Sequence, residues 1–219
     1  MVYVLAQGLY TRLQQAPWAN PVLWTVVALA TVLLATDIAY PVYFAGAQFI
    51  HFLLGPAVVA LGWPLWQRRD ALRQRWRRLL LAALAGGVAA SGSALALGWA
   101  FGLPADVLLS LAPKSVTAPV AMGIAEKIGG IPALAAVFAV ITGLVGALSG
   151  KYLFDALRIP TTVDGFMARG FALGTASHGI GAARALQVNA DAGAYAGLAL
   201  GLQVVLASLL MPLLFRLLG

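Results

Sequence analysis

The chain has no cysteine and only two histidines in 219 residues. The first absence excludes disulfides, thiolate metal centres and cysteine nucleophiles. The second leaves no set of ligands for a multi-histidine zinc or copper site. Charge is also scarce: Asp, Glu, Lys and Arg make up 10% of the residues, and only seven of them are acidic. No G-x-x-x-x-G-K-[ST] run is present to cradle ATP phosphates, and H-E-x-x-H and G-x-S-x-G are missing too. The adjacent Ser177 and His178 are no catalytic pair, because neighbouring side chains on a helix point different ways. The sequence therefore reads as a non-enzyme with no metal and no cofactor.

What the chain does have is apolar length. Hydrophobic residues make up 62% of it, and the mean hydropathy is +0.91. The stretch 67–78 (QRRDALRQRWRR) holds six of the fourteen Lys and Arg and lies between two long apolar segments. Arg-rich loops between membrane helices stay in the cytoplasm. Removing its six Arg and one Asp lowers the formal charge from +7 to +2. No second basic patch remains to track phosphates, so nucleic acid is not an expected partner. The expected fold is an all-α polytopic membrane protein with a single membrane domain over 1–219. At about 20 residues per crossing it would have roughly five to seven crossings.

The N-terminus lacks the basic region and small-residue cleavage site of a secretory signal. Residues 3–13 read as a short interfacial helix with Val4, Leu5, Leu9 and Leu13 on one face, within an interfacial segment 1–20. Trp18 and Trp24 suit the headgroup region. Apolar spans are expected at 21–40, 44–66 (interrupted by Gly55-Pro56, with Pro64 near its exit) and 79–101. The third is dense in Gly and Ser, which lets helices approach closely in lipid.

Beyond 101 the texture changes. Apolar stretches of nine to thirteen residues at 103–112, 115–127, 166–175 and 180–188 alternate with long ones at 131–157 and 195–218. Stretches that short cannot span a bilayer singly. They pair as broken crossing helices or as re-entrant hairpins. The segments 115–121 (SVTAPVA) and 177–183 (SHGIGAA) align at an offset of 62, which makes 103–157 and 166–218 candidate repeat units. If both breaks cross, Lys151, Arg158 and Arg169 lie outside. If both re-enter, that loop returns to the cytoplasm, as the positive-inside tendency prefers, and the repeat is inverted.

At such breaks backbone N–H groups and positive helix ends face inward, ready for an anion. Around the first, Lys114 supplies an ammonium and Ser115 and Thr117 supply hydroxyls. Around the second, Thr175 and Ser177 supply hydroxyls, His178 a group that titrates near neutral pH, and Arg184 a fork-shaped carboxylate donor. These seven are the expected substrate-binding residues. The plainer alternatives are a snorkelling Lys114 and polar residues that only cap helix ends. Glu126 and Lys127 read as an interfacial pair. Asp37 is either a counter-ion or a helix-edge residue. His51, with Gln48 three residues earlier, reads as a hydrogen-bonded packing residue.

The segments 113–119 (PKSVTAP), 126–132 (EKIGGIP) and 174–181 (GTASHGIG), with Ala183-Arg184-Ala185, resemble the LrgB/CidB family, as does 52–61 (FLLGPAVVAL). The resemblance covers about 40–215 and leaves the first forty residues out. It implies a multi-pass protein of the bacterial inner membrane with a smaller LrgA/CidA-type membrane subunit as partner, and the positive-inside tendency puts 67–78 in the cytoplasm. It also implies either control of murein hydrolase export and autolysis, or carriage of small monocarboxylates such as pyruvate, glycolate or glycerate. A homo-oligomer is expected. The broken helices favour the carrier, with His178 coupling it to protons, and lipid-facing small-residue surfaces suit the regulator.

Overall fold

The computed structural model describes residues 1–14, 16–53, 56, 66 and 69–218. They fall into two compact units, Met1–Trp63 and Pro64–Gly219. All regular structure among the described residues is helical.

In the first unit, α1 (Val2–Arg12) packs on α2 (Pro21–Ala35), and α3 (Tyr40–Phe52) follows. Asn20 starts α2: its side-chain oxygen accepts from the amides of Val22 and Leu23 at 2.9 and 3.3 Å, and Pro21 occupies the first turn. Trp18 and Trp24 are exposed, and the Trp24 indole donates to the Trp18 carbonyl at 3.0 Å. Asp37 is exposed in the turn after α2, with φ +52°. At fifteen residues α2 is shorter than a bilayer crossing needs. Of the expected span 44–66, residues 44–52 are helical in α3, while 54, 55 and 57–65, with Gly55 and Pro64, lie outside the described residues, as does the side chain of His51.

The second unit contains α4 (Arg69–Ala100), α5 (Ala105–Leu111), α6 (Ala118–Ile128), α7 (Pro132–Ala156), α8 (Val163–Val188) and α9 (Ala190–Leu218). Of the described helices, α4, α7 and α9 are long and apolar enough to cross a membrane. The basic residues expected to form a loop are helical from Arg69 onward and extend α4 beyond its apolar part. Nothing in 69–78 breaks a helix: it has neither Gly nor Pro, and Arg and Gln are good helix formers.

Packing follows membrane logic. On α7 the buried side holds Ala135, Ala139, Gly143, Ala147 and Gly150, while Val137, Ile141 and Val145 point outward. Small residues make up most of the inward face, beside Leu144 and Phe154, so backbones approach closely. The same rule brings α8 against α9. A Cβ on Gly170 or Gly174 would collide with the backbone of Ala192 or Ala196.

Both short-segment regions fold back on themselves. After α5 and α6, the Ile131 amide donates to Ser110 Oγ at 2.7 Å, and a Cβ on Gly130 would lie 2.8 Å from the Ser110 amide nitrogen. The chain thus leaves Ser110, travels out through 112–117 and returns along α6 to its starting level. In α8 the helical dihedrals fail at Ser177 (φ −126°, ψ 15°) and His178 (φ 41°, ψ −134°). A Cβ on Gly181 would sit 2.6 Å from the Leu173 carbonyl oxygen. In a continuous helix those residues would be about 12 Å apart. So α8 is a hairpin with arms 163–176 and 179–188. Between the bases of the two hairpins runs α7, 25 residues or about 37 Å long. The hairpins therefore start from opposite ends of the unit.

The ends are also assigned. Arg75 lies 3.4 Å from Asp164 in an exposed ion pair. Eleven residues further along each helix, a Cβ on Gly86 would meet Thr175 Cγ2 at 2.6 Å. The basic start of α4 and the 157–164 connection thus share one end, and α4 runs parallel to the first arm of α8. Arg169 holds that connection in place by pairing with Asp155 at 3.0 Å and donating to the Ile159 carbonyl.

Candidate functional site

The two hairpin tips approach one another. A Cβ on Gly179, next to the second tip, would lie 3.9 Å from Thr117 Cγ2 of the first. The junction lies near the midpoints of the three long helices: Gly86 on α4 meets Thr175, Gly143 and Gly146 on α7 meet His178 and Ser177, and Ala207 on α9 shares a buried cluster with Val116.

At the first tip, Pro113 and Ser115 are buried in a turn closed by the Val116 amide donating to the Pro113 carbonyl at 3.2 Å. Lys114 is half-buried, and its ammonium donates to Ser115 Oγ at 3.3 Å. Thr117 is the N-terminal cap residue of α6 but makes no side-chain capping bond. With Pro119 in the first turn, the first amides of that helix receive no bond from the Thr117 side chain. On α4, Ser91 fixes this hairpin from the side by donating to the Ala112 carbonyl at 2.8 Å.

At the second tip, Thr175, Ser177 and His178 are buried at 5%, 1% and 4% exposure. His178 Nε2 lies 2.7 Å from the Ala139 carbonyl oxygen. A carbonyl only accepts, so Nε2 carries the hydrogen, and in neutral His178 Nδ1 is left as an acceptor. The ring reaches that carbonyl because residue 143 has no side chain: a Cβ there would lie 2.9 Å from Nε2. Ser177 Oγ occupies the space a Cβ on Gly146 would need. The second arm starts at this tip, so its positive end and that of α6 point into one junction.

Six of the seven expected residues thus gather at the tips: Lys114, Ser115 and Thr117 on one, Thr175, Ser177 and His178 on the other. Arg184 does not join them. It stands six residues past His178 on the second arm, buried at 7% exposure and already engaged within the protein. Glu126 and Lys127 are exposed at the base of the first hairpin. The sequence reading missed Gly143, Gly146, Gln203 and Tyr195. The glycines could have been noticed, since Gly143, Gly146 and Gly150 share a helix face. Gln203 donates to the Ala83 carbonyl at 2.5 Å from a helix otherwise read as plain membrane span. Among the described residues no group of three or more acidic, His or Cys side chains could hold a metal ion. An ammonium, several hydroxyls and two helix N-termini at mid-depth form an environment suited to a small anion.

Comparison with known proteins gives a consistent picture. The LrgB-like family is matched over residues 1–217. This extends the resemblance through the first forty residues, which the sequence reading had left out. The YxaC protein of Bacillus subtilis is 36% identical over 211 residues, covering 96% of this chain and 90% of that protein. The holin-like protein CidB of Staphylococcus aureus is 31% identical over 209 residues, covering 94% and 90%. A Haemophilus influenzae protein is 33% identical over 200 residues, covering 90% and 84%. No solved structure matches the chain.

Proposed function

This chain is a membrane protein that belongs to the LrgB-like family, and from that premise we propose that it is a secondary carrier of small monocarboxylates of the pyruvate, glycolate or glycerate type. The observation that carries the reading is the meeting of two oppositely rooted helical hairpins at the mid-depth of three membrane-length helices. Oppositely rooted hairpins with interrupted helices at the midplane are a design of secondary transporters, because each can open toward its own side. Irregular backbone at that depth is tolerated where it is buried or borders a wet cavity. In this reading both hairpins are re-entrant and the basic end of α4 is cytoplasmic, in a bacterial inner membrane. Lys114 neutralises the carboxylate, and Ser115, Thr117, Thr175 and Ser177 orient it together with the free amides of α6. His178 carries the coupling proton on Nδ1. Arg184 acts from outside the tips, by holding the second arm.

The holin-like name of the Staphylococcus aureus relative supports a second reading, in which the protein works in a holin/antiholin system, in the finer form as a regulator of murein hydrolase export beside an LrgA/CidA-type subunit. Outward-facing apolar rows such as Val137, Ile141 and Val145 would serve a membrane partner as well as lipid. A regulator has no use for an ammonium and hydroxyls gathered at two matched tips, and for that reason the carrier is preferred.

Uptake of radiolabelled pyruvate and glycolate into proteoliposomes of the purified chain tests the choice. Saturable uptake that is lost in Lys114→Ala and in His178→Ala is expected. No uptake from folded protein, with or without a pH gradient and with or without an LrgA-type subunit, would sink the carrier reading.

A further inference from the structure

A groove of about 820 Å³ runs between α4 and the first arm of α8. The two helices close on each other at its inner end, where a Cβ on Gly86 would meet the Thr175 methyl at 2.6 Å. At the outer end Arg75, Arg78 and Asp164 form a rim. From Arg75 to Gly86, and from Asp164 to Thr175, is eleven residues or about 16 Å of helix. That is half of a hydrocarbon core about 30 Å thick, the depth of one leaflet.

Between rim and closure the groove offers hydrocarbon. Leu79 and Ala82 line it on α4, and Ala168, Ala172 and Ala176, one turn apart and exposed, line it on α8. Phe171 and Tyr195 of the adjoining buried cluster also border it. Thr175 Oγ1 and the Tyr195 hydroxyl are inaccessible, so no lining side chain presents a donor or acceptor below the rim. The rim is the opposite. Arg75 offsets Asp164 at 3.4 Å, which leaves Arg78 to carry the net positive charge there. Arg78 is exposed where α4 turns from basic to apolar, one residue before Leu79. Two residues earlier Trp76 is exposed too, and indole suits the headgroup level.

We propose that this groove is a binding site for one anionic phospholipid of the leaflet at the basic end of α4, with its phosphate on Arg78 and Arg75 and one acyl chain along Ala168, Ala172 and Ala176. Both ends select the occupant. Basic clusters at the end of a membrane helix draw anionic lipid, and an apolar slot one leaflet deep suits a chain that has no hydrogen bonds to water to lose. A small organic acid has charge for the rim but nothing to bury below it. The site lies apart from the hairpin junction and does not depend on the carrier reading. Its bound chain packs on the arm that carries Ser177 at its tip, so the lipid braces the second hairpin from the side.

The test is native mass spectrometry of the purified full chain in detergent, with phosphatidylglycerol, phosphatidylcholine or glycerol phosphate added and a melting curve for each variant. One phosphatidylglycerol should be retained in preference to phosphatidylcholine. Glycerol phosphate, a headgroup without chains, should not displace it. Arg78→Gln should cut the preference about fivefold, the worth of one cation near a membrane surface. Arg73→Gln removes the same charge from another face of α4 and should leave the preference intact. Ala172→Phe fills the slot from an exposed position and should abolish retention of phosphatidylglycerol. Equal losses in Arg73→Gln and Arg78→Gln would reveal only diffuse surface charge and overturn the site. Unchanged retention in Ala172→Phe, displacement by glycerol phosphate, or a folded wild-type chain that retains no phosphatidylglycerol would overturn it as well.

Discussion

The hydroxyl of Ser177 sits where a side chain on Gly146 would begin. The second hairpin therefore reaches the middle of the unit only because α7 leaves a gap there. Gly143 leaves a second gap, under the His178 ring. Replacing Gly146 with Ala forces the tip outward and is expected to cost about 1–3 kcal/mol, the usual range for overpacking, and to remove uptake. Gly143→Ala should behave in the same way, whereas Gly201→Ala, with nothing within 4 Å of its new methyl, should be neutral. Equal effects of all three on melting and uptake would show that the gap has no special part in seating the tip.

The Arg75–Asp164 pair is worth little in energy, since both side chains are half or more exposed. Its value is geometric. With no native cysteine, Arg75→Cys and Asp164→Cys can be combined and oxidised without competing thiols. A rapid intramolecular crosslink is expected, and both positions should react with an impermeant maleimide from one side of the membrane. Glu126→Cys, at the base of the other hairpin, should react from the opposite side. Labelling of positions 126 and 164 from the same side would contradict hairpins rooted at opposite ends.

His178 tests proton coupling. Its Nε2 hydrogen is committed to the Ala139 carbonyl, so exchange with the substrate pathway falls to Nδ1. An inward proton gradient should stimulate wild-type uptake several-fold. In His178→Gln the amide can still donate to the carbonyl but does not titrate, so uptake should become slow and insensitive to the gradient. A variant that keeps gradient-driven uptake would exclude His178 as the proton carrier and leave it a positioning role.

The breaks were legible because they are written in residue chemistry. Pro113 and Lys114 interrupt one apolar run, and Ser177-His178-Gly179 interrupts another. The location was right, but the residue that adopts positive φ is His178 rather than Gly179, and a non-glycine residue held there costs about 1 kcal/mol or more. That strain is accepted when packing fixes the turn, and here the Ala139 carbonyl does so. The folding back of the arms was only one of two alternatives in the sequence, because a broken crossing helix and a hairpin have the same composition. The contact of Gly181 with Leu173 shows the second arm turning back on the first, a contact that no local pattern in the sequence encodes. The expected basic loop proved helical from Arg69 because nothing in it stops a helix.

Gln203 offers the last prediction, and it concerns α4. Its amide donates to the Ala83 carbonyl at 2.5 Å, and its oxygen lies 2.8 Å from where a Cβ on Gly87 would be. The side chain therefore needs both the carbonyl and the bare backbone beside it, and it ties α9 to α4. Interhelical hydrogen bonds in membranes average about 0.6 kcal/mol and reach about 1.7. Gln203→Leu should therefore lower stability by about 1 kcal/mol. Gly87→Ala should lower it by more, because it displaces the amide and adds a clash. If the bond is what holds the two helices, the double variant should be no less stable than Gly87→Ala alone, since the amide has then already been expelled. Fully additive losses in the double variant, measured by denaturant unfolding in detergent micelles, would show that the two positions act independently and that the Gln203–Ala83 bond does not join α9 to α4.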